Sequence, residues 1–158
     1  MTIASTLQRH LERHGVGYEV LQHPLTASSS ETAQSAHISG NRIAKTVVMR
    51  DGGGNGYLLA VLPASQHLSL ELLQAWLGRP VALASEQEVG KLFPDCDLGA
   101  IPPIGDAYGL EVVLDESLGG LDEVYFEGGD HRTLVQVGGD QFRRLMSGAR
   151  QGRFSTQD

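Results

Sequence analysis

The chain has 158 residues and a mass of 17.0 kDa, the size of one ordinary domain with room for a hydrophobic core. Apolar residues make up 41% and charged residues 20%, a balance typical of soluble globular proteins, and no apolar run is long enough to span a membrane. A single cysteine excludes an internal disulfide, and the first residues lack the basic and apolar regions of a signal peptide. We therefore expect a cytoplasmic protein.

The net charge of −7 argues against a protein that coats nucleic acid through a broad basic face. The charge is unevenly spread, because residues 106–130 hold eight acidic and no basic side chains, whereas residues 141–157 hold four arginines and no acid. These four would attract a phosphate, or they would only solvate the end of a helix. They are Arg143, Arg144, Arg150 and Arg153.

Five short helices are predicted from apolar spacing and capping residues. The first carries Leu7 and Leu11 and ends at Gly15. The second begins with the Ser-x-x-Glu capping box of residues 28–31 and runs to about residue 37. The third runs from an N-cap at residue 69 to residue 77, the fourth from the capping box of residues 85–88 to before Pro94, and the last from about residue 140.

Seven strands are predicted where valine, leucine and tyrosine concentrate, namely residues 18–21, 45–50, 57–62, 81–84, 110–114, 123–127 and 133–137. A glycine-rich hairpin loop joins the second strand to the third over residues 51–56. Hairpins mixed with helices predict an α+β domain whose mixed, largely antiparallel sheet is flanked by short helices. We expect one domain over residues 1–158, with its core over about residues 5–147 and a frayed tail after Gly148.

Residues 99–105 (Gly-Ala-Ile-Pro-Pro-Ile-Gly) form the most unusual segment. Two prolines and two bracketing glycines exclude a helix or an interior strand, and the segment lacks the charges of an ordinary solvated loop. A rigid apolar loop of this kind is typical of a pocket wall, and a structural turn between a helix and a strand is the alternative.

Lys45 begins a strand in which alternation places Val47 and Met49 on the same face. A lysine that shares a face with apolar residues at a strand end is suited to the mouth of a pocket. The Asp130-His131 pair completes the candidate set, with His131 either a ligand contact or a turn residue. A cation beside exposed loop amides suits an anionic or carbonyl-bearing ligand.

Other chemistries are disfavoured by the residues around them. The glycine-rich loop lacks the Gly-Lys-Ser/Thr ending of a phosphate loop. His10 and His14 stand four apart on a helix, but no third metal ligand is evident. Cys96 lies between two aspartates, which would raise its pKa and disfavour a thiolate nucleophile. No Gly-x-Ser-x-Gly elbow indicates a serine hydrolase.

Five segments together resemble one family, namely residues 23–24, 44–48, 57–63, 99–105 and 125–129. The third segment begins with Tyr57. Residues 99–105 match a G-x-x-x-P-x-G signature. The chain is similar to the YbaK/prolyl-tRNA synthetase-associated family, the free-standing relatives of the bacterial synthetase's editing insertion. The similarity covers about residues 5–147.

The resemblance implies an enzyme that cuts the ester between a wrong amino acid and the 3′-terminal adenosine of tRNA, with neither metal nor nucleotide cofactor. It makes Lys45 the residue that anchors or polarises the adenosine or the aminoacyl group. It places the backbone amides of Gly99 and Ala100 at the ester. Substrate contacts are expected from Ile101, Pro103, Gly105 and His131.

The partners implied are the mischarged tRNA, bound at its 3′ CCA end, and a synthetase that supplies it; neither DNA nor a membrane is expected. One strongly charged contact can hold a single-stranded end without a large basic face. An aminoacyl ester is already activated, so positioning and a few donors suffice. The cargo expected is small, such as alanine, serine, threonine or cysteine. A non-catalytic module that binds tRNA or a synthetase, and a hydrolase of another ester or amide, stay open.

Overall fold

The computed structural model describes residues 3–24, 29–52 and 56–157. Their helices are α1 (Ser5–Arg13), α2 (Ser29–Ala36), α3 (Leu70–Leu77), α4 (Glu86–Leu92) and α5 (Gly139–Leu145). Their strands are β1 (Glu19–Gln22), β2 (Ile43–Asp51), β3 (Tyr57–Pro63), β4 (His67–Leu68), β5 (Val81–Leu83), β6 (Glu111–Asp115), β7 (Glu123–Glu127), β8 (Thr133–Gly138), β9 (Arg150–Gly152) and β10 (Ser155–Thr156).

Eight of these strands form one sheet in the order β1-β8-β7-β2-β3-β6-β9, with β5 paired to β2 beside that path. Four pairings are antiparallel, namely β1–β8, β8–β7, β2–β3 and β2–β5. Three are parallel, namely β7–β2, β3–β6 and β6–β9. The predicted α+β fold with a mixed sheet and short helices is confirmed.

The central strand β3 is buried along almost its whole length because both faces of the sheet are covered. Leu59 and Val61 pack on one face with α1, α5 and the segment that follows α4. Leu58 and Leu62 pack on the other face with α3 and the C-terminal segment. The core therefore has two layers, and β2 and β3 divide them.

The predicted helix ends are largely confirmed in the described chain. Ser69 caps α3 by accepting a hydrogen bond from the N–H of Leu72, and Gly78 ends it with φ +74°. Ser85 and Glu88 form the predicted capping box of α4. Residue 28, which would cap the helix in the capping box predicted at residues 28–31, and the tip of the hairpin loop at residues 53–55 lie outside the described residues.

The prediction of a frayed tail after Gly148 is wrong. Strand β9 pairs with β6, and β10 pairs with β4. Phe154 is fully buried, stacks on Trp76 with a centroid separation of 6.0 Å, and donates its backbone N–H to Asp115 Oδ1 at 3.1 Å. The tail is ordered because Phe154, which lies between β9 and β10 in the sequence, is buried. The sequence did not indicate these strands because they are too short to show a hydrophobic period.

None of the helices in the described ranges has the length and the apolar character needed to cross a membrane.

The packing of Phe154 predicts that the C-terminal segment contributes to stability. We expect Phe154→Ala to lower the free energy of unfolding by about 3–5 kcal/mol, the usual cost of emptying a buried phenylalanine site. Gln157→Ala, an exposed change three residues away, should stay within about 0.5 kcal/mol of wild type. Urea unfolding of both variants measures this, and equal stabilities would show that the tail does not belong to the core.

Candidate active site beside the second strand

The middle of β2 lacks a neighbouring strand on one edge. Strand β3 pairs along β2 from Ala44 to Arg50. On the opposite edge β7 pairs only with residues 43–44, and β5 pairs only with residues 49–51. Within the described chain, residues 45–48 therefore have no registered partner on this edge. At the Val48 end of this open stretch, the N–H of Ala84 donates to Val48 O at 3.0 Å.

A cavity of about 420 Å³ lies along this gap. Its walls come from β2, from β5 and α4, and from the segment before the proline pair. The lining is mostly apolar and consists of Thr46, Val47, Val48, Leu83, Ala84, Glu86, Val89, Leu98, Gly99 and Ile101. Thr46 Oγ1 is buried there with no hydrogen-bond partner among the described residues. The gap is thus a small apolar pocket with one hydroxyl available to a ligand.

The loop of residues 97–101 closes the pocket and is held rigidly. Gly99 has φ +81°, which disfavours any residue with a Cβ. Asp97 donates its N–H to Gly129 O at 2.7 Å, and the N–H of Ala100 donates to Asp97 O at 3.1 Å. Ile101 is packed into the core. The segment is therefore both a connection from α4 to β6 and a pocket wall, which unites the two interpretations of the sequence.

His131 lies against the same loop, because its Nε2 is 2.5 Å from Leu98 O. The structure thus brings His131 together with Gly99 and Ile101. Its position on a turn fits the structural interpretation, and a contact with substrate stays a prediction.

Pro103 and Gly105 are buried beneath the loop and are not among the described residues that line the cavity. A Cβ at Gly105 would lie 2.5 Å from Leu110 O, so glycine is required for packing there. These two residues of the signature shape the loop from below. Their direct contact with substrate stays a prediction.

Lys45 lies on the other face of β2 and is not among the described residues that line the cavity. Val48 packs with Ile101 in one core layer, while Val47 and Met49 pack in the other, so the predicted alternation holds. The Lys45 Nζ donates to Gln66 O at 2.6 Å, and the half-buried side chain has a lowered pKa because burial disfavours its charge. Lys45 and the loop therefore flank the same stretch of β2 from opposite sides.

A buried polar cluster that the sequence reasoning missed lies next to β2. Ile43 pairs with Tyr125 and Ala44 with Phe126, and Glu127 follows on β7 just after this pairing ends. Glu127 is only 3% exposed, and Thr32 Oγ1 donates to its Oε1 at 2.7 Å. The signal was an acidic residue at the end of an alternating strand, immediately before two glycines.

The second oxygen of Glu127 faces a histidine. Glu127 Oε2 lies 3.8 Å from Nε2 of His23, and neither atom hydrogen-bonds any other part of the described chain. The His23 Nδ1 lies 2.8 Å from Pro24 O and donates to it, which leaves Nε2 without a proton in the neutral ring. Burial raises the pKa of Glu127 to about 7. Below pH 7 the carboxyl of Glu127 is therefore mostly protonated, in a buried position that faces the His23 ring.

Cys96 and the His10–His14 pair, the other candidates from the sequence, lie in surroundings that the structure describes. Burial, with a smaller contribution from Asp95, raises the pKa of Cys96 to about 12, so the predicted absence of a thiolate nucleophile is supported, with burial as the main cause. Across residues 3–24, 29–52 and 56–157, no three His, Cys, Asp or Glu side chains are arranged to hold a metal ion. His10 and His14 thus lack a third ligand there.

These features can be compared with those of known protein families. Residues 23–145 match the aminoacyl-tRNA editing domain family, and the chain belongs to that family. The YbaK-type family that the sequence predicts is therefore confirmed.

Solved structures support the same fold. A crystal structure of a protein provisionally assigned as a trans-editing enzyme for prolyl tRNA synthetase is 28% identical, covers 97% of this chain and 96% of its own, and superposes with a TM-score of 0.83. The hypothetical protein APE2540 is 23% identical, with coverages of 96% and 100% and a TM-score of 0.82. This second likeness shows the fold alone.

A protein from Marinobacter aquaeolei VT8 that is provisionally assigned to signal transduction is 21% identical and has a TM-score of 0.76. The match covers 96% of this chain but 30% of that protein, so the fold also occurs as part of a longer chain. No curated protein matches the chain.

The environment of Glu127 predicts a pH-dependent stability. Because its folded pKa of about 7 exceeds the ordinary 4.5, the folded protein binds more protons than the unfolded chain between these values, and stability falls as pH rises through them. Glu127→Gln keeps an acceptor for Thr32 and removes the ionisation. We expect this variant to show a smaller change of melting temperature between pH 5 and pH 8 than the wild type does. At pH 8 its free energy of unfolding should be higher than that of the wild type by up to roughly 3 kcal/mol.

The matched control is Glu116→Gln, because Glu116 is exposed on the surface. It should retain the wild-type pH dependence in the same thermal melts. A wild-type pH profile in the Glu127→Gln variant would show that this carboxyl does not titrate near neutrality in the folded state.

Proposed function

We propose that this editing domain acts in trans as a cytoplasmic deacylase, which hydrolyses the ester of a mischarged aminoacyl-tRNA carrying a small amino acid such as alanine, serine, threonine or cysteine. The observation that carries the proposal is the open edge of β2 at residues 45–48, walled by Gly99 and Ile101, with Lys45 on the opposite face of the same strand. An extended strand edge beside a rigid loop can hold the 3′ end of a tRNA between two fixed walls.

The chemistry fits a site without a catalytic triad. An aminoacyl ester is activated, so hydrolysis requires orientation of the ester and donors for its developing negative charge. The backbone N–H groups of Gly99 and Ile101 have no partner in the described chain and can serve as these donors. The N–H of Ala100 already donates to Asp97 O, so Ala100 supports the loop rather than the ester.

Lys45 supplies the cation. One of its three N–H groups is used by Gln66 O, which fixes the ammonium and leaves two donors for the terminal adenosine or the aminoacyl carbonyl. Thr46 offers a buried hydroxyl on the other side of the strand, where it can orient a water or a polar cargo. The apolar lining limits the cargo by size, at about 1–3 kcal/mol for each methylene group.

The deciding experiment is a deacylation panel with purified protein and tRNA for proline charged with alanine, serine, threonine, cysteine or proline. We expect ester loss above the spontaneous rate for at least one small wrong amino acid and none for proline. Lys45→Met should lower the rate by about 100-fold, the usual loss for one donor at a developing charge.

The sequence holds one other lysine, Lys91, which is exposed on α4 and provides a matched control. Lys91→Met should keep full activity. If no member of the panel loses its ester faster than in buffer while the tRNA still binds, the protein is a binding module and not a deacylase. Thermal melts of both variants separate a folding defect from a catalytic one.

Gly99 gives a second prediction, because its φ of +81° sets the path of the loop. Gly99→Ala should cost about 1–2 kcal/mol of stability and reduce turnover more than it reduces tRNA binding. Gly90→Ala is the control, since Gly90 lies inside α4 with open space at its Cβ position. This change should leave activity intact and stabilise the protein by up to about 1 kcal/mol. Equal turnover in the two variants would remove the loop from the reaction.

A further inference from the structure

A second cleft, of about 270 Å³, lies between the C-terminal ends of α1 and α5. Its polar lining is His10, His14, Asp106, Arg144 and Ser147, over an apolar floor. None of the described residues that line the pocket beside β2 takes part in it. The editing reaction proposed above therefore leaves this cluster unexplained.

The cleft presents donors that are unoccupied in the described chain. His10 is only 7% exposed, and its ring stands 4.3 Å from that of His14. Neither ring, nor the Ser147 hydroxyl, hydrogen-bonds another described residue. Burial of an imidazole without a hydrogen-bond partner costs free energy, so such a ring beside a cleft is unusual unless a ligand in the cleft forms the missing hydrogen bond.

Arg144 is held in place at the rim. Its Nη1 donates to Gln141 Oε1 at 2.9 Å, and its Nη2 donates to His14 O at 3.0 Å. A guanidinium has five N–H groups, so this leaves donors free for a ligand while the side chain is fixed. A planar, oriented guanidinium is the group best matched to phosphate oxygens.

We infer that this cleft binds a phosphate group of the tRNA acceptor arm, through Arg144, His10, His14 and Ser147. The inference rests on the proposed function, which supplies the tRNA. Arg144 disfavours a metal cation in the same place. The one carboxylate, Asp106, is exposed and faces His10, where it supports the charged imidazole that a phosphate needs.

The position of the cleft fits the acceptor arm. The N–H of Ala4, at the start of α1, donates to Gly128 O in the turn that carries His131 beside the pocket loop. From Ala4 to His14 the helix rises about 15 Å. A phosphate bound at the far end of α1 therefore lies within reach of the first nucleotides before the terminal adenosine.

Proton uptake should accompany binding. His10 has a lowered pKa because of its burial, then because of His14 and Arg13, while Asp106 acts in the opposite direction and Arg144 faces the cleft from α5. A phosphate favours the imidazolium form, so the affinity should rise as the pH falls from 8 to 6.

The first test titrates inorganic phosphate into the protein and follows the histidine ring signals by NMR. We expect a saturable shift of the His10 signals and a higher titration midpoint for His10. An uncharged RNA hairpin with an acceptor stem and a CCA end should compete with phosphate. Phosphate that binds without such competition would overturn the assignment to tRNA, and Zn²⁺ that binds both imidazoles in place of phosphate would overturn the site itself.

The second test measures the affinity of the same hairpin by fluorescence anisotropy. Arg144→Gln should weaken binding about tenfold or more, as expected for a lost charge-assisted hydrogen bond, and should lower the salt dependence by about one phosphate contact. Arg9→Gln removes the same charge from an exposed position on α1 outside the cleft, and it should change the affinity less than about twofold.

Equal losses in the two variants would overturn the inference, because they would indicate diffuse attraction to positive charge. Since the hairpin carries no amino acid, this result is independent of ester hydrolysis. A protein that shows the Arg144 effect but cleaves no ester keeps the phosphate site and loses the proposed function, and the reverse result keeps the function and loses the site.

Discussion

The pairing of β2 is the constraint on which the site depends. Two strands approach the same edge of β2 from opposite ends, β7 parallel at Ala44 and β5 antiparallel at Met49, and they do not meet. A strand edge left open attracts any extended partner, so a folded protein covers it. Here the loop around Gly99 provides the cover from one face, and Lys45 stands on the other. A pocket follows from the topology of the sheet before any catalytic residue is considered.

Much of the fold could be predicted because helix caps and strand alternation depend only on residues that are close in the sequence. The caps at Ser69 and Ser85 depend on side chains within three residues, and the alternation on β2 depends on a two-residue period. Strands β9 and β10 are too short to carry a period, and their order depends on contacts such as that of Phe154 with Trp76, which are distant in sequence. The gap beside β2 depends on two long-range registers and could not be predicted.

The residues of the candidate site also fall into those that the sequence could indicate and those that only the structure reveals. Lys45 and Gly99 could be proposed from the sequence because a lysine among apolar residues and a glycine-proline segment are unusual in any sequence. Thr46 and Glu127 were missed because threonine and glutamate are ordinary strand residues until burial removes their water and leaves an oxygen without a partner. The packing of Gly105 against Leu110 beneath the loop was also not foreseen, because it depends on a contact that the signature does not show.

The acidic total and a tRNA substrate are compatible because ester chemistry and RNA affinity have different physical requirements. An activated ester needs orientation and a few donors, and in the function that we propose an apolar pocket and one lysine supply them without a basic surface. Affinity for RNA grows with each phosphate contacted, and in the inference drawn from the cleft a single guanidinium fixed at its rim contributes to it in a chain whose net charge is −7. If the two proposals hold, a separation of about one helix length lets the pocket select the cargo by size while the cleft holds the RNA whatever the cargo is. On this reasoning, changes in the pocket alter which ester is cut, and changes in the cleft alter how tightly every substrate is bound.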